Sequence, residues 1–72
     1  MAKFDSKELK RALALIEKEN GLGPVDMSFD PMGRLLIGYN NTMGGDTVVI
    51  TLFTINDETP NKMAEITRTN RL

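Results

Sequence analysis

Thr47-Val48-Val49-Ile50-Thr51-Leu52-Phe53-Thr54-Ile55 is a long uncharged run, rich in β-branched residues, in this chain of 72 residues. At the two-residue period of a strand, Val48, Ile50 and Leu52 point one way, and Val49, Phe53 and Ile55 point the other. A strand with one wet side alternates apolar with polar residues. Here the polar positions hold only threonine, which suits a pleated, half-buried surface. The run therefore predicts a sheet strand with two apolar faces. So short a chain has little material for a second cover. The candidates are its own last dozen residues, a second copy, or a target protein.

The residues upstream supply the neighbouring strands. Asp30-Pro31-Met32-Gly33 has the chemistry of a type I turn, with Asp first, Pro second and Gly fourth. A left-handed glycine closes a three-residue loop with a bulge and pairs Asp30 with Arg34. That register sets Phe29 opposite Leu35, Met27 opposite Ile37 and Val25 opposite Tyr39, all on one face. Asp26, Ser28, Leu36 and Gly38 fall on the other. If Asn40 then pairs with Thr47 across the loop 40–46, Tyr39, Ile37 and Leu35 face Val48, Ile50 and Leu52. The opposite face collects Leu36, Val49 and Phe53, with Ile55 nearby.

A helix precedes the hairpin. Asp5 is a capping residue, Glu8 completes a capping-box pattern, and Phe4 with Leu9 forms a hydrophobic staple. Leu9, Ala12, Leu13 and Ile16 recur at helical spacing, with Leu15 off that stripe. Gly21 ends the helix and Pro24 blocks its continuation, which places it at about residues 6–19. At the other end of the chain, Lys62-Met63-Ala64-Glu65 favours helix and Ile66-Thr67-Arg68-Thr69 favours strand. The balance tips to a fourth strand; the alternative is a short helix capped by Thr59 and opened by Pro60. The expected fold is α+β, one domain over residues 1–72. An N-terminal helix packs on one face of a three- or four-stranded antiparallel sheet.

Composition excludes more than it identifies. There is no cysteine and no histidine, so disulfides, Cys/His metal sites and nucleophile–histidine catalysis are ruled out. Self-association is the remaining staple for so small a core. Gly21-Leu22-Gly23 lacks the third glycine and the preceding strand of a dinucleotide fingerprint. Asn40, Thr42 and Asp46 do not match a calcium loop. Asp26 and Asp30 share a strand face, but read most simply as a solvated residue and a turn former. No enzyme activity, cofactor or small-molecule substrate is expected. The N-terminus lacks the apolar segment of a signal peptide, and no run approaches a membrane span, so the expected location is the cytoplasm. Net charge is −1. Its spread is uneven: residues 19–61 carry six acidic groups and one basic, Arg34.

The order helix–strand–strand–strand, with a Gly23-Pro24 pair, resembles that of double-stranded-RNA-binding domains. That family begins its last helix with several lysines and carries a histidine in a loop. Here residues 60–66 hold one lysine and the chain has no histidine. The RNA-contacting residues are therefore missing, and the family is not assigned.

Three surfaces stand out as binding candidates. The first is the outer sheet face, Leu36, Val49, Phe53 and Ile55, with Arg34 at its margin. The second is the loop carrying Asn41, Met43 and Asp46. The third is a basic set, Lys7, Lys10, Arg11 and Lys18 on the helix with Arg68 and Arg71 near the C-terminus, which suits phosphate. The leading expectation is a non-enzymatic protein-binding module. It would be a small adaptor or inhibitor, of the kind phages and plasmids direct at host proteins, acting as a homodimer. The alternative is a nucleic-acid-binding accessory protein using the basic set.

Overall fold

The computed structural model describes residues 2–55 and 63–70. Helix α1 spans Ser6–Asn20, followed by β1 Asp26–Phe29, β2 Leu35–Asn40, β3 Thr47–Leu52 and β4 Glu65–Thr69. The four strands form one antiparallel sheet in the order β1-β2-β3-β4. The segment after β3 that could have been helix is a strand at residues 65–69, and here the likeness to RNA-binding domains, which end in a helix, stops. The helix start expected at Thr59 and Pro60 lies outside the described residues.

Local chemistry explains the boundaries. The Asp5 carboxylate accepts from the Lys7 N–H at 2.8 Å, and the Gly21 N–H donates to the Glu17 carbonyl at 3.1 Å. Gly21 sits at φ 67°, a conformation other residues avoid. The capping box is only half realised. Glu8 does not reach back to Asp5; it pairs with Arg11 at 3.0 Å and accepts from the Ala64 N–H at 3.3 Å. A carboxylate at the first turn is thus used to fasten the segment before β4.

The hairpin turn forms as its residues dictate. Gly33 N–H donates to the Asp30 carbonyl, and Asp30 N–H to the Arg34 carbonyl, each at 3.0 Å. The Asp30 carboxylate accepts from the Met32 and Arg34 N–H groups and pairs with the Arg34 side chain. Phe29 lies opposite Leu35, Met27 opposite Ile37, and Leu35, Ile37 and Tyr39 opposite Leu52, Ile50 and Val48. Both registers are the ones the apolar alternation requires.

The core is Ala12 and Ile16 from the helix with Leu35, Ile37, Tyr39, Val48, Ile50 and Leu52 from the sheet. Leu9 and Leu13, expected in the stripe, remain 36 % and 56 % exposed. Width is the reason. A helix is about 10–12 Å across with its side chains, and strands lie about 4.8 Å apart, so one helix covers two strands. Here it contacts β2 and β3. Among the described residues, the same face of β1 and β4 is only partly covered: the Phe4 ring lies 6.3 Å from that of Phe29, and Met27 is 59 %, Phe29 63 % and Ile66 51 % exposed.

Candidate protein-interaction surfaces

The face of the sheet turned away from the helix carries Asp26 and Ser28, Leu36, Gly38 and Asn40, Thr47, Val49 and Thr51, then Glu65, Thr67 and Thr69. It is not flat. A hollow of about 630 Å³ runs over it, floored by Leu36, Gly38 and Val49 and rimmed by Asp26, Ser28, Asn40, Thr42 and Thr47. Gly38 makes the depth. It lies mid-strand opposite Val49, where any other residue would raise a side chain into the space. A Cβ there would meet only the Val48 carbonyl oxygen at 3.9 Å and the Asp26 Cβ at 4.0 Å. A lone glycine inside a strand was the sequence signal for this hollow.

The expected outer-face residues divide. Leu36 and Val49 meet on the floor and are half-buried. Phe53 lies past the end of β3, where the Arg34 guanidinium sits 5.8 Å from its ring centroid. Ile55 leaves the sheet altogether. Its N–H donates to the Lys3 carbonyl at 2.8 Å, next to a bridge between Phe4 and Thr54. Among the described residues, it is the N-terminal segment that lies against Ile55.

The loop after β2 is anchored. The Thr42 N–H and hydroxyl both donate to the Glu19 carbonyl, at 3.0 and 2.9 Å, which serves an end-of-helix acceptor. Asn41 accepts from the Met43 N–H at 3.1 Å. Met43 stays exposed at the tip, and Leu22 is fully exposed on the loop after the helix. The end of α1 and these two loops border one end of the hollow through Asn20, Pro24 and Thr42.

Asp46 is turned inward rather than offered at the surface; the residue is 7 % exposed. Its carboxylate takes the Arg68 guanidinium at 3.2 Å, and Arg68 also forks onto both Glu19 oxygens at 3.1 and 2.8 Å. The Tyr39 hydroxyl donates to Glu19 at 2.7 Å. The Arg68 bond, then the Tyr39 bond, hold Glu19 below the usual glutamate range. Burial pushes Asp46 up, but its own backbone N–H, Arg68 and Asn41 together outweigh that and leave it low. Burial, reinforced by Glu19, pushes the Tyr39 phenol up. The cluster joins helix end, loop, β2 and β4, and it occupies Arg68 with two carboxylates. Of the basic set, Arg11 is paired with Glu8, Lys7, Lys10 and Lys18 lie on the exposed side of α1, and Arg71 lies outside the described residues.

The two aspartates of the first hairpin are separated by their partners. Asp30 is taken up by the turn and Arg34, which hold it low against the upward push of burial. Asp26 stands on the rim of the hollow. Among the described residues, no group of three or more His, Cys, Asp or Glu is placed to hold a metal ion, and no buried side-chain polar atom lacks a partner. No helix among them is long and apolar enough to cross a membrane. Compared with known proteins, the chain matches no family model, no curated protein and no solved structure.

Proposed function

We propose that this chain is a non-enzymatic protein-binding module, a small cytoplasmic adaptor or inhibitor that works as a homodimer and docks its target in the hollow of the outer sheet face. The observation that carries this is the hollow itself: an apolar floor of Leu36, Gly38 and Val49 inside a rim of hydroxyl and amide groups. Binding sites combine an apolar floor with a few polar groups that fix orientation. Among the described residues, the only charge on that rim is Asp26, so a partner presenting an apolar side chain beside a basic group fits it best. Leu22 and Met43 are exposed on the two loops that border one end, available to extend the apolar contact, and a pliable Met suits a binding surface.

The test is capture from a native lysate by the wild type, by Gly38→Phe and by Val49→Lys. The expected result is a discrete protein retained by the wild type and lost by both variants, each still folded by circular dichroism. Equal capture by a folded Gly38→Phe overturns the hollow as the docking site. Wild type that captures nothing overturns the function.

A further inference from the structure

We infer that the second copy joins through β1, with Met27 opposite Met27 of the partner subunit, so that two four-stranded sheets become one of eight strands. This rests on the proposed self-association but not on the hollow. Strand β1 is an edge of the sheet among the described strands. The Asp30 N–H bond to Arg34 fixes the alternation of the ladder. Asp30, Ser28 and Asp26 therefore bond β2, while Met27 and Phe29 direct their N–H and C=O groups outward. An edge of this kind is a template for another strand unless it is blunted. Pro24 and Pro31 bracket it, and Asp26 is its one charge.

Two-fold symmetry leaves few registers. Antiparallel pairing must place the outward-bonding residues Met27 and Phe29 in hydrogen-bonded positions. Phe29 opposite Phe29 of the partner subunit sets Met27 against a proline, which has no N–H. Met27 opposite the partner's Phe29 sets Asp26 against the partner's Asp30, two acidic residues directly across. Met27 opposite the partner's Met27 has neither fault. It sets Asp26 against the partner's Ser28 and Val25 against the partner's Phe29. A two-fold axis normal to the sheet also keeps both helices on one face.

That face is where the uncovered apolar surface lies. Glu8 and Leu15 turn toward β4, where Glu8 accepts from Ala64 and Leu15 lines a hollow with Met63 and Ile66. At 100° per residue, Leu9 and Leu13 fall on the opposite flank, the side nearer β1. Phe29 is 63 %, Met27 59 %, Leu13 56 % and Leu9 36 % exposed. At roughly 150–250 Å² for a large side chain, the exposed fractions of these four amount to about 320–540 Å² per copy. Both copies together bury on the order of 800 Å², short of the roughly 1,200 Å² of a stable interface. The dimer is therefore weak and concentration-dependent. It places the two outer hollows side by side on the opposite face, across a seam of Asp26 and Ser28.

The chain has no cysteine, so one introduced cysteine reports the register without background. Opposed residues of a hydrogen-bonded pair lie about 5.5 Å apart at Cα, within disulfide reach. Met27→Cys is expected to link into a covalent dimer under mild oxidation, on the order of tenfold faster than Phe29→Cys. In the proposed register the two Phe29 positions are about 13 Å apart along the strand. Sedimentation equilibrium is expected to show wild type associating with rising concentration, and Met27→Lys/Phe29→Lys folded and monomeric. Equal linking of the two cysteine variants overturns the register. Wild type monomeric at millimolar concentration overturns the dimer; if it still captures its target, docking in the hollow stands. Loss of capture by a Gly38→Phe protein that still dimerises supports both.

Discussion

Replacing Gly38 by valine is expected to stabilise the protein while filling its proposed docking surface. Gly38 lies mid-strand in β2, opposite Asp26 on one side and Val49 on the other. Its φ is not positive, unlike that of Gly21, Gly33 and Gly45, so a side chain brings no backbone strain. The nearest atoms to a Cβ are 3.9 and 4.0 Å away, ordinary contact. Glycine inside a strand costs about 0.5–1 kcal/mol relative to alanine. A cross-strand pair with Val49 adds roughly 0.2–1 kcal/mol. The sum is a gain of about 1 kcal/mol, equivalent to a rise of about 4–8 °C in Tm for a domain of this size. Urea unfolding followed by circular dichroism measures it, with an unchanged slope showing that both proteins unfold to the same extent. A loss of about 1 kcal/mol or more would refute the reasoning. It would mean that the Cβ meets packed atoms and that the outer face is closed. A gain with target capture abolished would mark Gly38 as a residue held for function against stability.

Two further perturbations test the interior. Glu19 and Asp46 are held low in the fold, so their contribution is present above their unfolded values and is lost as pH falls through the folded ones. Wild-type stability should therefore decline below about pH 4. Arg68→Met leaves the two carboxylates facing each other uncompensated, and the slope of stability with pH should flatten or reverse; melting curves between pH 2.5 and 6, on the scale of about these carboxylate values, decide it. A slope in Arg68→Met equal to that of wild type would remove Arg68 as the cause. Ile50 is 1 % exposed at the centre of the core. Ile50→Ala should cost about 2–5 kcal/mol, comparable with the roughly 3–5 kcal/mol net that so small a core supplies. The variant should be largely unfolded, read from the fluorescence of Tyr39, the single tyrosine in a chain without tryptophan.

The sequence by itself determined what neighbours along the chain decide. Asp5 and Gly21 bound the helix because capping groups act within one turn. Asp30, Pro31 and Gly33 set the hairpin, and once that turn is fixed a period of two carries the register through β2 and across to β3. The two-faced character of residues 47–55 was legible as far as Leu52. Beyond it the strand ends, and Phe53 and Ile55 take separate partners.

Tertiary structure decided the rest. Arg68, Glu19, Asp46 and Tyr39 meet although 49 residues separate Glu19 from Arg68, and no local rule couples them. Nor does any sequence period tell how wide a helix is against a sheet. One helix covers two of four strands, so Met27, Phe29 and Ile66, which alternate as core residues should, stay at the surface. Apolar spacing records which way a side chain points. Whether anything lies in that direction depends on how much of the chain remains to cover it.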